Sequence, residues 1–249
     1  MDSLIKGPCT HGFKLGSRGK PLAALLAMML VAMVVQAANP GVQPPQSHPY
    51  GKSYAEWSAN WWQWFLERPL TAPDPNLGYD IPPGKVGNVW FLASGLPNPA
   101  IDIPSSTALF IPLMNVECSS LEPPESGFHG DTEAEQAECA KYWADHIINL
   151  VCSIDGRSMV INESYRVTSP QFSFDAPTPW VFGDTGGSGN AVGDGYYVMV
   201  APLSVGVHTI TIKATLHFDA GELGPDPVDA LETDVTWHIT VVPRGQFLD

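Results

Sequence analysis

Val207-His208-Thr209-Ile210-Thr211-Ile212-Lys213-Ala214-Thr215-Leu216-His217 reads as a strand, because its even positions are mostly apolar and its odd positions mostly polar. Successive side chains of a strand point to opposite faces, so one face of this segment packs inward. Asp234-Val235-Thr236-Trp237-His238-Ile239-Thr240-Val241 repeats the pattern, with Val235, Trp237, Ile239 and Val241 as its apolar set. The connection between the two, residues 219–233, is long, acidic and Pro-containing.

Working back towards the N-terminus, strand signals recur at 196–201, 171–174, 164–168, 158–161 and 151–154, and further back at 108–114 and 88–93. That spacing belongs to a sandwich or jelly roll, not to alternating β-α units. The fold class predicted is mainly β, an antiparallel β-sandwich of immunoglobulin-like or jelly-roll type with two accessory α-helices. The first helix, near 53–67, is Ser53-Tyr54-Ala55-Glu56-Trp57-Ser58-Ala59-Asn60-Trp61-Trp62-Gln63-Trp64-Phe65-Leu66-Glu67, opened by a Ser53/Glu56 capping box and stopped before Pro69. The second, near 133–150, follows a Thr132/Glu135 capping box and carries Ala137, Ala140, Trp143, Ala144, Ile147 and Ile148 at helical spacing. Residues 52–249 are expected to form a single domain, after a Pro-rich lead-in at 38–51.

Lys6, Lys14, Arg18 and Lys20 precede an uncharged run from Pro21 to Val35 and small residues at Ala37-Ala38. Residues 1–37 therefore read as a cleaved signal peptide, the apolar run being shorter than the roughly 20 residues that span a bilayer. Cleavage leaves eight basic against 25 acidic residues, a net charge near −17. Such a chain repels phosphate backbones, so nucleic acid is excluded as a partner, and no span remains for the membrane. The expected location is secreted, extracellular or periplasmic. Cys118, Cys139 and Cys152 then face an oxidising compartment, and the preferred reading is a Cys118–Cys139 disulfide with Cys152 buried as a small apolar residue.

The closing pair of strands resembles the final hairpin of bacterial immunoglobulin-like modules. Together with Tyr54-x-Glu56-Trp57-x-x-x-Trp61-Trp62-Gln63-Trp64, Val89-Trp90-Phe91-Leu92, Ala108-Leu109-Phe110-Ile111-Pro112 and Asn115-Val116-Glu117-Cys118, it is similar to an uncharacterised group of exported bacterial β-sandwich proteins. The likeness spans nearly the whole mature chain and brings no assigned reaction with it. Members of that group often carry a further Cys pair flanking the Val-Trp-Phe-Leu strand, which this chain lacks.

Several places offer chemistry. On a helical wheel Tyr54, Trp57, Trp61 and Phe65 share one face and Glu56, Asn60, Gln63 and Glu67 the opposite one, with Trp62 and Trp64 at the flanks. The flanking pair are the candidates for an aromatic platform that binds glycan. In the Gly-rich stretch 183–195, Asp184, Asn190 and Asp194 are oxygen ligands spaced as a flexible loop holding Ca2+ would need, although a plain mobile loop is the simpler reading. His217 and His238, with Asp219 and Asp234 near the same end, could form a surface metal site if pairing made them diagonal neighbours. Glu163, Tyr165, Tyr196 and Tyr197 are the weak catalytic candidates. The expected function is an extracellular or cell-envelope binding module, requiring no cofactor, whose partner is a glycan or cell-surface component. The competing classes are a secreted carbohydrate-active hydrolase or lyase and a structural envelope protein.

Overall fold

A computed structural model describes residues 41–69, 81–93 and 95–246, all within one compact unit spanning Ala37–Asp249. The signal peptide read at 1–37 lies outside the described residues. The elements run β1 (Val42–Gln43), α1 (Tyr54–Glu67), β2 (Gly84–Val86), β3 (Val89–Phe91), β4 (Ala100–Pro104), β5 (Ala108–Ser119), α2 (Glu133–Ala144), β6 (Ile147–Ile154), β7 (Arg157–Ser158), β8 (Arg166–Thr168), β9 (Phe172–Ala176), β10 (Gly187–Val200), β11 (Gly206–Phe218) and β12 (Val228–Val242). Among the described residues the protein is mainly β with two α-helices, as the alternating patterns and the two capping boxes predict.

Two sheets form. The first has the order β1-β10-β5-β3-β2, with β8 and β9 also pairing β10, and the second the order β4-β12-β11-β6-β7. Both are mixed rather than purely antiparallel, since β3 runs parallel to β5 and β4 parallel to β12. Parallel neighbours require a crossover. Here the chain leaves the first sheet after β3, contributes β4 to the second, and returns as β5.

Along β10, alternation decides what lies on each side. Gly193 and Tyr197 face α1, with the Gly193 backbone against the Trp62 indole and Tyr197 stacked on Phe110 at 5.2 Å. Asp194 and Tyr196 point to the opposite face. There Leu109, Ile111 and Val198 share one core with Ile210, Ile212, Trp237 and Ile239 of the second sheet. α1 thus covers one face of the first sheet, and the second sheet covers the other.

The capping box of α1 is formed on both sides: Ser53 Oγ accepts from the Glu56 amide at 3.2 Å, and the Ser53 amide donates to Glu56 Oε2 at 2.7 Å. Its aromatics are anchored through their polar atoms. Trp57 Nε1 donates to Pro49 O at 2.9 Å, Trp61 Nε1 to Leu92 O at 3.1 Å, and the Tyr54 hydroxyl to Gln43 O at 2.6 Å. The Cys118–Cys139 disulfide ties the end of β5 to α2, and Cys152 is free and buried.

Three expectations change. The second helix stops at Ala144 instead of running to 150, because Ile147–Ile154 joins β11 in an antiparallel ladder that pairs Ile147 with Leu216 and Cys152 with Ile212. Helical spacing of Ile147 and Ile148 was real, but β-branched residues gain more on a pleated surface with a neighbour to pair. The Gly-rich stretch becomes strand β10 from Gly187 onward. A Cβ at Gly193 would lie 2.4 Å from Trp62, and one at Gly189 would lie 2.9 Å from Phe174, so the glycines serve close packing of aromatics. Finally, β12 begins at Val228, so the last six residues of the connection read at 219–233 are hairpin ladder.

Candidate functional site: a polar groove along the tryptophan helix

Two adjoining hollows, of about 330 and 420 Å3, meet at Gln63 and Glu67 on the outer side of α1. The first is floored by Phe174 and edged by outward residues of β9 and β10, and the second by Asn60, Trp64 and Lys85. Their rims are held by a run of hydrogen bonds. Gln63 Nε2 donates to Ser173 O at 3.1 Å, the Asp175 amide to Glu67 Oε1 at 3.2 Å, Ser173 Oγ to Asn190 Oδ1 at 2.8 Å, and the Asn190 amide to Ser120 Oγ at 3.0 Å. Ser188 Oγ also donates to Asp175 Oδ1. Glu67, Ser173, Asp175, Ser188 and Asn190 remain exposed, so these oriented groups can still meet a ligand.

Trp64 is half-buried in the second hollow. The Gly84 backbone lies flat against its ring, where a Cβ would come within 2.5 Å, and Phe91 packs at 5.9 Å. Trp62, the other flank position, differs from the expectation. It is only 4% exposed, wedged between Gly193, Trp61 and Phe65. The strand beneath α1 rises close enough at its glycines to enclose this flank. Trp57 and Trp61 are core, as their position on the wheel predicts.

The remaining candidates are scattered. Tyr196 donates to Glu163 Oε1 at 2.8 Å, and burial together with that carboxylate pushes the Tyr196 hydroxyl up to about 12. Glu163 itself lies in a 3-10 turn, Glu163–Tyr165, not on a strand. Tyr165 is buried 6.3 Å from Tyr54, and Tyr197 is fully buried, its hydroxyl accepting from Asn115 Nδ2 at 3.1 Å and raised by burial. Tyr197 and Tyr196 lie on opposite faces of β10, so the four groups do not converge.

Asp184 sits ahead of β10 and is exposed, Asn190 belongs to the groove, and Asp194 is 2% exposed. Asp194 accepts from Arg166 Nε at 2.7 Å and Thr168 Oγ1 at 2.6 Å. Its charge is spent within the fold. His217 pairs with Asp229 and His238 with Thr209, so the register places the two His at opposite ends of the hairpin and they are not neighbours. Among the described residues no group of three or more His, Cys, Asp or Glu is placed to hold a metal ion, and no helix is long and apolar enough to cross a membrane.

Sequence reading singled out Trp64 and the polar face of α1 but missed Ser120, Ser173, Asp175 and Ser188. The alternation of Phe172-Ser173-Phe174-Asp175 carried the outward signal for two of them. Which helix they would flank was not visible.

No family model matches the chain, and no curated protein matches it. Among solved structures it is similar to the cysteine protease inhibitor EhICP2 from Entamoeba histolytica, at 12% identity over 62% of this chain and 96% of that one, with a TM-score of 0.21. It is also similar to amebosin, at 12% identity over 57% and 88% of the two chains, with a TM-score of 0.18. Likenesses at these scores carry no argument about function.

Proposed function

We propose that this chain is an exported, extracellular or cell-envelope module that binds neutral glycan in the groove along α1. The observation that carries the reading is the meeting, at Gln63 and Glu67, of a hollow edged by a half-buried indole with one edged by fixed amides, hydroxyls and carboxylates. A sugar ring offers an apolar C–H face for an aromatic side chain and a rim of hydroxyls that both donate and accept. Glu67 and Asp175 supply acceptors, and Gln63 and Asn190 supply amides. The excess of acidic over basic residues favours a neutral ligand over a polyanion. The Cys118–Cys139 disulfide fits an oxidising compartment.

The test is calorimetric titration of the chain from residue 38 onward with a panel of neutral oligosaccharides. At least one is expected to bind, with Trp64→Ala and Glu67→Gln each weakening it about tenfold and Asp226→Asn leaving it unchanged, one lost charged hydrogen bond or stacking contact being worth about 1–2 kcal/mol. Failure of every neutral oligosaccharide at millimolar concentration, or binding indifferent to both groove variants, overturns the reading.

A further inference from the structure

The two hollows of the groove lie at opposite edges of the first sheet. β9 pairs β10 on the side away from β5, and β2 is the last strand beyond β3. The first hollow is edged by β9 and the second by β2, with Gln63 and Glu67 of α1 shared between them. Residues four apart on a helix share one face, so this pair forms a single polar saddle across α1. Among the described residues no strand lies outside β9 or β2, so none walls off either end. A helix with its side chains is about 10 Å across, more than a single sugar ring covers.

The groups along this path keep hydrogen-bonding capacity to spare. Glu67 gives Oε1 to the Asp175 amide, Asp175 gives Oδ1 to Ser188 Oγ, and Asn190 gives Oδ1 to Ser173 Oγ. That leaves Glu67 Oε2 and Asp175 Oδ2 to accept and Asn190 Nδ2 to donate outward. Acceptors held in place in this way match ring hydroxyls, which donate. Across the saddle, Asn60 gives Oδ1 to Lys52 Nζ, and Trp64 supplies an aromatic edge.

We infer that the groove takes an internal stretch of a linear neutral polysaccharide, at least three rings long, with one ring in the β9 hollow, one over Gln63 and Glu67, and one against Trp64. This rests on the glycan reading above and adds what that reading leaves open, the length of the ligand and its independence of chain ends.

The test is calorimetry with three length series, β-1,4-glucan, β-1,4-mannan and α-1,4-glucan, each taken from the monosaccharide to the hexasaccharide and then to the soluble polymer. In a series that binds, affinity is expected to rise about tenfold from disaccharide to tetrasaccharide, the gain from one further stacked or hydrogen-bonded ring, and then to level off. The polymer binds as tightly per site as the hexasaccharide, and reducing the hexasaccharide to its alditol changes nothing. Trp64→Ala and Asn190→Ala each weaken the hexasaccharide about fivefold. The disaccharide, which fills one hollow, responds to only one of the two variants. The inference is overturned, with the glycan reading intact, if the monosaccharide or disaccharide binds as tightly as the hexasaccharide, if the polymer or the alditol fails to bind, or if both variants weaken the disaccharide. Silence from all three series also overturns it, the wider oligosaccharide panel then deciding the glycan reading separately.

Discussion

Glu117 is the residue whose surroundings depart furthest from its chemistry. It is 3% exposed on β5, opposite Gly193, and both of its carboxylate oxygens are buried without a hydrogen-bond partner. Trp62 packs against the same glycine, so an indole and an unpaired carboxyl flank Gly193 beneath α1. Burial, reinforced by nearby Glu122, holds the Glu117 carboxyl well above the usual carboxylate range. The folded chain therefore keeps a proton that the unfolded chain releases. Stability from this group is present below the ordinary Glu value and falls as pH rises towards the raised one, by up to about 1.4 kcal/mol per pH unit. Glu117→Gln should remove that slope, making the variant more stable than wild type at pH 8 and little different at pH 4. Urea unfolding at the two pH values checks it, and equal differences at both would contradict it.

At the scale of elements, α1 is a core element whose outer edge alone is available for binding. Its inward side chains close against β3, β5 and β10, while Gln63, Trp64 and Glu67 keep the edge that forms the groove. α2 has a smaller apolar stripe, with Ala140 and Ala144 buried and Trp143 stacked on Phe128 at 4.4 Å. It depends more on its covalent tie. The Cys118–Cys139 bridge has a sequence separation of 21, and removing it should cost about 3 kcal/mol through the freedom returned to the unfolded chain. Cys118→Ser with Cys139→Ser is expected to lower Tm by about 6–12 °C while the far-ultraviolet dichroism of the strands persists. An unchanged Tm would show that the packing of α2 suffices without the bridge.

Over the whole molecule, His residues and carboxylates are repeatedly set together. His208 Nδ1 lies 2.8 Å from Asp155 Oδ2 and His217 Nδ1 2.6 Å from Asp229 Oδ1, and these carboxylates raise both imidazoles. His129 is raised first by the Glu122 carbonyl and then by Asp131. On the other side, Lys141 and Arg166 lower Asp145, and His146 with the Asp219 amide lowers Glu222. For Asp155, burial opposes the shift but His208 and the Thr209 amide outweigh it. A raised His gives stability that is present below its ordinary value near 6.5 and lost as pH climbs through the raised one. A lowered carboxylate gives stability present above its ordinary value near 4 and lost as pH falls through the lowered one. The expected result is a Tm maximum at about pH 5–6, with the alkaline limb flattened by 0.5 M salt. A Tm that rises from pH 6 to pH 8 would refute this account.

The sequence by itself determined the elements that rest on local physics. Alternation in 207–217 and 234–241 produced β11 and most of β12, capping boxes set the starts of both helices, and the helical wheel placed Trp57 and Trp61 in the core. Cysteine arithmetic found the Cys118–Cys139 bridge. Tertiary structure decided whatever depends on a distant partner. Ile147 and Ile148 became strand because β11 was there to pair with them. The glycines of 187–195 became a close-packed strand because aromatic rings lie against them, and that enclosure buried Trp62 while Trp64 kept an edge. The register of a long hairpin separated His217 from His238. Periodicity reports which face of a segment is apolar, but only packing fixes which face meets which, and the groove lies where such faces meet.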